Sequence, residues 1–205
     1  MDYNSLMDVI LTHEQADFDA IASLLGAALL TEGAIPVLPR RVNRNVRSFL
    51  TLYGSELPFV DARDLPAGTV ETVTLVDTQS LVTLKGMGAG TRVRVLDHHP
   101  RRAGLPPDWE VHAEEIGATT TLLVEQLGEN GFGLTTLQAT LLLLGVYEDT
   151  GSLTYVRTTA RDARAAACLL EAGADLRIVT RFLNPPLSLE QRAVYDRLLT
   201  NAKTH

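Results

Sequence analysis

The chain has 205 residues, 45% of them apolar, and a formal net charge of −7 at neutral pH. It is long enough and apolar enough to bury a real core in one domain, with at most a fragment of a second. Its acidic balance excludes broad electrostatic adhesion of the whole chain to nucleic acid, and its longest apolar runs, such as Ile21 to Leu30, are too short for a membrane span.

The N-terminus lacks the charged, apolar and small-residue order of a signal peptide, so a cytoplasmic protein is expected. One cysteine, Cys168, excludes an internal disulfide and fits a reducing compartment. Its alanine-rich surroundings, Ala165 to Leu170, predict a buried thiol.

Met1 to Leu6 fit no element and read as a tail, with Met7 an equally plausible start. Val9 to Thr12 reads as a strand, Asp19 to Leu30 as a helix with an apolar face, and Ile35 to Leu38 as a second strand. Gly33 and Pro36 punctuate the connection. A helix over Val42 to Tyr53 follows, then strands at Pro58 to Val60, Thr72 to Val76, Thr91 to Leu96 and, at an edge, Val111 to Ala113. From Gly117 the pattern turns helical: Thr119 to Leu127, Leu134 to Tyr147, Thr159 to Ala172, Asp175 to Phe182 and Ser188 to Leu199.

This order predicts an α/β fold, a mainly parallel sheet covered by helices on both faces and followed by C-terminal helices. Asn184-Pro185-Pro186 breaks the helical run, after which Ser188 and Gln191 form a capping-box pair. The expected division is a catalytic domain over 7–184 and a connector helix beginning in 185–205, with the natural protein continuing beyond His205.

Chemistry concentrates in segments that follow strands. His13, Asp17 and Asp19 follow the first, Asp77 ends the 72–76 strand, and Asp97-His98-His99 ends the next. In an open parallel sheet these side chains collect at the carboxyl edge, near a topological switch point. A lone acid there is usually a helix cap or turn residue, and Asp17 or Asp19 can serve so. Yet three of the chain's five histidines fall in these motifs. Carboxylates mixed with imidazoles, one carboxylate shared, are what a pair of divalent ions about 3.5 to 4 Å apart requires. A fourth segment, Glu148-Asp149-Thr150-Gly151, is an ordinary helix exit by itself and a further carboxylate beside the others.

The order His13-x-x-x-Asp17-x-Asp19-Ala20, a strand ending in Asp77, Asp97-His98-His99, then Asp149-Thr150-Gly151 resembles the DHH phosphoesterase superfamily. That superfamily includes RecJ exonucleases, oligoribonucleases, cyclic-dinucleotide phosphodiesterases and family II inorganic pyrophosphatases. The resemblance implies two divalent ions, manganese preferred and magnesium possible. His13, Asp17 and Asp77 would hold one, and Asp19, Asp77, His98 and Asp149 the other. It further implies that Asp97 orients an imidazole, that His99 faces the substrate phosphate, and that Asp77, Asp97, His98 and His99 form the catalytic set around a metal-activated water.

Arg40, Arg44 and Arg47 are spaced to share a helical face, either as a phosphate track or as a solvated surface, and Arg101 and Arg102 follow the Asp-His-His segment directly. Arg44, Arg47 and Arg101 are therefore candidate substrate contacts with His99, and they favour a nucleotide or short oligonucleotide. Pyrophosphatases of this superfamily carry Asn-Pro where this chain has Glu14-Gln15-Ala16, which sets phosphoanhydride hydrolysis second. Thr12 to Ser23 and Asn43 to Arg47 also resemble the DHH region of bacterial tRNA nucleotidyltransferase or poly(A) polymerase-like proteins. That resemblance implies a third possibility, a regulatory or RNA-binding domain whose RNA contacts lie outside this chain. Oligomeric state is not legible in the sequence.

Overall fold

Apolar residues alternate along the first strand, with Met7, Val9 and Leu11 packing on one side and Ile10 on the other. That period of two buries both faces of a strand, as a covered parallel sheet requires. The computed structural model describes residues 5–185 and 188–202. Its strands are β1 (Ser5–Leu11), β2 (Ile35–Leu38), β3 (Val60–Asp61), β4 (Gly68–Val76), β5 (Arg92–Asp97) and β6 (Glu110–Ala113). They form one sheet in the order β3-β2-β1-β4-β5-β6, and every pairing is parallel.

The helices are α1 (Phe18–Leu30), α2 (Arg44–Tyr53), α3 (Thr119–Glu129), α4 (Thr136–Thr150), α5 (Ala160–Glu171), α6 (Leu176–Leu183) and α7 (Leu189–Asn201). The expected parallel α/β architecture is present, but its two faces are covered differently. Buried residues of α1 to α6 join Ile10 and Val76 in one core. The opposite face, built from Val9, Val37, Val73 and Val95, is packed by Ala62, Leu65, Val82, Leu84, Met87 and Trp109. Those residues come from the connections between β3 and β6, none of which contains a helix. Helices therefore gather on one face rather than both.

Local boundaries differ where hydrogen bonding decides them. Leu6 belongs to β1, in register with Thr69, rather than to a tail, while Met1 to Asn4 lie outside the described residues. Asn43 caps α2 by accepting from the Val46 amide at 2.8 Å. Arg40 thus precedes the helix and does not share a face with Arg44 and Arg47. Helix α4 continues three residues past Tyr147 and ends at Gly151, whose φ of 54° supplies a left-handed cap. Cys168 is exposed, because α5 turns Ala165, Ala166 and Leu169 inward and leaves the thiol on the outer side.

Helix α1 is buried from Phe18 to Ala27, between the sheet and the pair α3 and α4. An aromatic cluster ties α1, α2 and α6 together, with Phe49 5.7 Å from Phe18 and 5.2 Å from Phe182 between ring centroids. No residue of α7 is buried, and Pro186 of the expected helix break lies outside the described residues. Among the described residues no helix is long and apolar enough to cross a membrane.

Helices α1, α3 and α4 meet closely at Gly145, where a Cβ would lie 2.5 Å from Thr120 Oγ1 and 2.6 Å from Ala22 Cβ. Replacing Gly145 with Ala is expected to cost about 1 to 3 kcal/mol by overpacking the α1, α3 and α4 junction. Urea unfolding checks this; an unchanged midpoint would contradict the packing described.

Candidate metal centre

From β1 the chain turns one way to β2 and β3, and β4 to β6 lie on the other side, so the order reverses between β1 and β4. The carboxyl ends of β1, β4 and β5 open onto this switch point, where open α/β sheets bind ligands. His13 follows β1, Asp77 follows β4, and Asp97 ends β5 with His98 and His99 after it. Asp19 stands in the first turn of α1 and Asp149 in the last turn of α4.

Two clusters result. Ligand atoms of His13, Asp17 and Asp77 lie within 4.8 Å of one another, and so do those of Asp19, His98 and Asp149. Asp77 reaches both: Oδ2 is 3.3 Å from His13 Nε2, and Oδ1 is 3.5 Å from His98 Nε2. A third group joins Asp77, Asp97, His98 and His99.

The backbone is bent to achieve this. Asp77 has a φ of 56°, a left-handed conformation that costs a non-glycine residue on the order of 1 kcal/mol or more. Its amide is held by Leu96 O at 2.9 Å, which carries the turn across to β5. Thr119, at the start of α3, donates its hydroxyl to Asp77 Oδ1 at 3.0 Å and accepts the His98 amide at 3.2 Å. Asp19 accepts the backbone amides of Thr119 and Thr120, each at 2.8 Å, so a buried carboxylate sits on the positive end of α3. Asp17 does two things at once: Oδ1 caps α1 through the Ala20 amide at 3.0 Å, and the carboxylate remains within its cluster.

His98 Nδ1 donates to Ile116 O at 3.0 Å, which directs Nε2 inward. Buried Nε2 makes no hydrogen bond, although Asp149 Oδ2 lies 3.2 Å away and Asp19 Oδ2 4.0 Å. A buried ring nitrogen facing carboxylate oxygens has the chemistry of a cation ligand. His99 Nδ1 meets Asp97 Oδ1 at 2.9 Å, and Gln79 Nε2 donates to Asp97 Oδ2 at 2.6 Å. Asp97 therefore orients His99.

Without cations the cluster pushes its proton affinities upward. The hydrogen bond to Asp77 outweighs burial and raises His13 to about 9. Burial would lower His98, but Asp149, Asp19 and Asp77 raise it to about 10. Burial, reinforced by Asp77 and Asp149, drives Asp19 well above the usual carboxylate range, and burial likewise raises Asp17. Burial raises Glu148 to about 7, although its carboxylate accepts the Phe18 amide. Asp97 goes the other way: burial opposes its charge, yet hydrogen bonds from His99 and Gln79 hold it below its ordinary value. Crowded carboxylates of this kind are relieved by protons or by metal ions, and the oxygen and imidazole donors fit divalent cations.

A recess of about 390 Å³ opens beside the cluster, lined by His13, Asp77, Thr78, Gln79, Ser80, Asp97, His99 and Arg102. Arg101 is exposed and outside that wall. Arg44 lines a separate groove with Ser48 and Arg181, and Arg47 is exposed on α2. No motif of the sequence marks Thr119 or Gln79 as a site residue. The one signal for Thr119 was the Thr119-Thr120-Thr121 run opening a helix after Gly117.

Residues 9–146 match the DHH family, N-terminal domain. The A-adding tRNA nucleotidyltransferase of Geobacter sulfurreducens is 37% identical over 97% of this chain and 23% of its own length. The bifunctional oligoribonuclease and PAP phosphatase NrnA of Mycoplasma genitalium is 34% identical over 43% of this chain and 28% of its own length. The matches thus span less than a third of either protein. A crystal structure of an exopolyphosphatase-related protein from Bacteroides fragilis has a TM-score of 0.70 at 18% identity, covering 98% of this chain and 62% of that one. That likeness is one of fold.

Raised to about 9 and about 10, His13 and His98 favour a second ring proton, the imidazolium form, at pH 7 when no cation is bound. Serving as ligands requires losing it, so Mn²⁺ uptake is expected to release protons, and apparent affinity to rise with pH up to those values. Titration calorimetry in buffers of different ionisation enthalpy measures this. An enthalpy independent of buffer would contradict the arrangement.

Proposed function

The chain belongs to the DHH family, and from that membership we propose that it is a metal-dependent phosphoesterase domain hydrolysing phosphodiester bonds of short oligonucleotides or nucleotides. The observation that carries this reading is the position of Asp77, one carboxylate facing two ligand clusters through its two oxygens. His13, Asp17 and Asp77 would hold one divalent ion, and Asp19, Asp77, His98 and Asp149 the other. The oxygen and imidazole donors favour Mn²⁺, with Mg²⁺ as the alternative. Such a pair of ions supplies an activated water and neutralises charge on the phosphoryl oxygens.

The protein's own groups do the positioning. Thr119 fixes the Asp77 oxygen that faces His98, and Ile116 O holds His98 in the tautomer that leaves Nε2 free. Asp97 holds a proton on His99 Nδ1, and the same hydrogen bond raises the ring's affinity for a second proton. His99 Nε2 would then donate to a phosphate oxygen. The spacer Glu14-Gln15-Ala16 is tied to the α2 entry, with Glu14 accepting the Arg41 amide at 3.0 Å and Ala16 O accepting the Asn43 amide at 2.9 Å. Its departure from the pyrophosphatase pattern supports nucleotides over pyrophosphate.

A second reading rests on the tRNA nucleotidyltransferase relative, which matches nearly the whole chain. In it, residues 7–184 form one cytoplasmic domain of a longer RNA-processing protein, residues 185–205 begin the connector, and RNA is bound by parts outside this chain.

With Mn²⁺ and a panel of dinucleotides, cyclic dinucleotides, nucleoside bisphosphates and pyrophosphate, release of mononucleotides is expected. Phosphate from pyrophosphate alone, or tight metal binding with no turnover, would contradict the leading reading. Replacing Asp77 with Ala should reduce turnover by more than the roughly hundredfold typical of losing an outer-shell partner, with loss of bound metal. Full activity in that variant would sink the assignment.

A further inference from the structure

We infer that Arg102 binds the phosphate of a nucleotide in the recess beside His99, an assignment that rests on the phosphoesterase reading above and names a contact for it. A recess walled by Asp77 and Asp97 binds phosphate better where the wall also carries positive charge that those acids have not taken up, in addition to the cations and His99 of the proposed centre. Arg102 supplies it. Among the described residues, Arg63, Arg92, Arg94, Arg161 and Arg177 are each paired with a carboxylate. No such pair involves Arg102, although it shares a wall with acids.

What holds Arg102 is neutral. Its Nη1 donates to Ser80 Oγ at 2.7 Å, and its backbone amide donates to Gln79 Oε1 at 2.7 Å. Ser80 orients the guanidinium without neutralising it, leaving its other N–H donors free for phosphoryl oxygens, to which the planar fork is matched. Gln79 is buried, and its amide nitrogen reaches Asp97 Oδ2 at 2.6 Å, His99 O at 3.3 Å and Pro100 O at 3.2 Å. One glutamine therefore fixes both the carboxylate that orients His99 and the backbone that carries Arg102. The His99 imidazole and the exposed Arg102 guanidinium line the same recess, and the ligand their donors fit is a nucleoside phosphate rather than a nucleoside.

The test compares binding of adenosine 5′-monophosphate and adenosine to the Mn²⁺-loaded protein by calorimetry, in wild type, Arg102→Met and Arg102→Lys. Wild type is expected to prefer the phosphorylated ligand. Arg102→Met should weaken monophosphate binding about tenfold or more without changing adenosine binding, while Arg102→Lys retains part of the lost affinity. Mn²⁺ affinity and thermal midpoint should stay unchanged in both variants, and KM for a dinucleotide should rise more than kcat falls in Arg102→Met. Equal affinity of wild type and Arg102→Met for the monophosphate, or no preference in wild type, overturns the role of Arg102. A wild type that binds the monophosphate through Arg102 but hydrolyses no phosphate ester contradicts the hydrolase reading alone.

Discussion

The site depends on one electrostatic constraint: Asp77 is held on a bent strand end where its two oxygens face two histidines and, around them, three further carboxylates. So many acids in a partly buried space repel one another, and burial first, with that repulsion added, raises Asp17 and drives Asp19 well above the usual carboxylate range. The fold tolerates it because backbone dipoles and hydroxyls face the negative charge. Asp19 sits on the amides opening α3, Thr119 links Asp77 to the His98 backbone, and Asp17 caps α1. The links through Asp19 and Thr119 join elements distant in sequence, so the helical layer is registered on the sheet by the same contacts that aim the acids.

Packing secures what the polar contacts aim. Helix α1 carries Asp19 and lies against α4, which carries Asp149, with Gly145 allowing their close approach. A close-packed junction of this kind keeps carboxylates from two helices at a fixed separation. The strained φ of Asp77 belongs to the same design, since it turns the carboxylate away from the strand direction toward both clusters.

Much of this was legible in the sequence. Strand-like runs ending in His13, Asp77 and Asp97 place those residues along one edge of a parallel sheet, and the structure brings them together there. What was not legible follows from physics that spacing does not carry. Helical period groups Arg40 with Arg44 and Arg47, but the Asn43 side chain caps the helix after Arg40. Cys168 sits in an apolar run whose buried side is set by the orientation of α5. Helices on both faces were inferred from alternation, while the crossovers from β3 to β6 are loops whose apolar residues do the covering. Thr119 and Gln79 act through contacts 42 and 18 residues away, beyond the reach of any local pattern.

In the proposed arrangement Asp77 is shared between two cations. Anomalous scattering at the manganese edge, from crystals grown with Mn²⁺, tests it most directly. Two peaks flanking the Asp77 carboxylate are expected, one touching His13 and Asp17 and the other touching Asp19, His98 and Asp149. A single peak, or a pair that leaves Asp77 outside ligand distance, would contradict it.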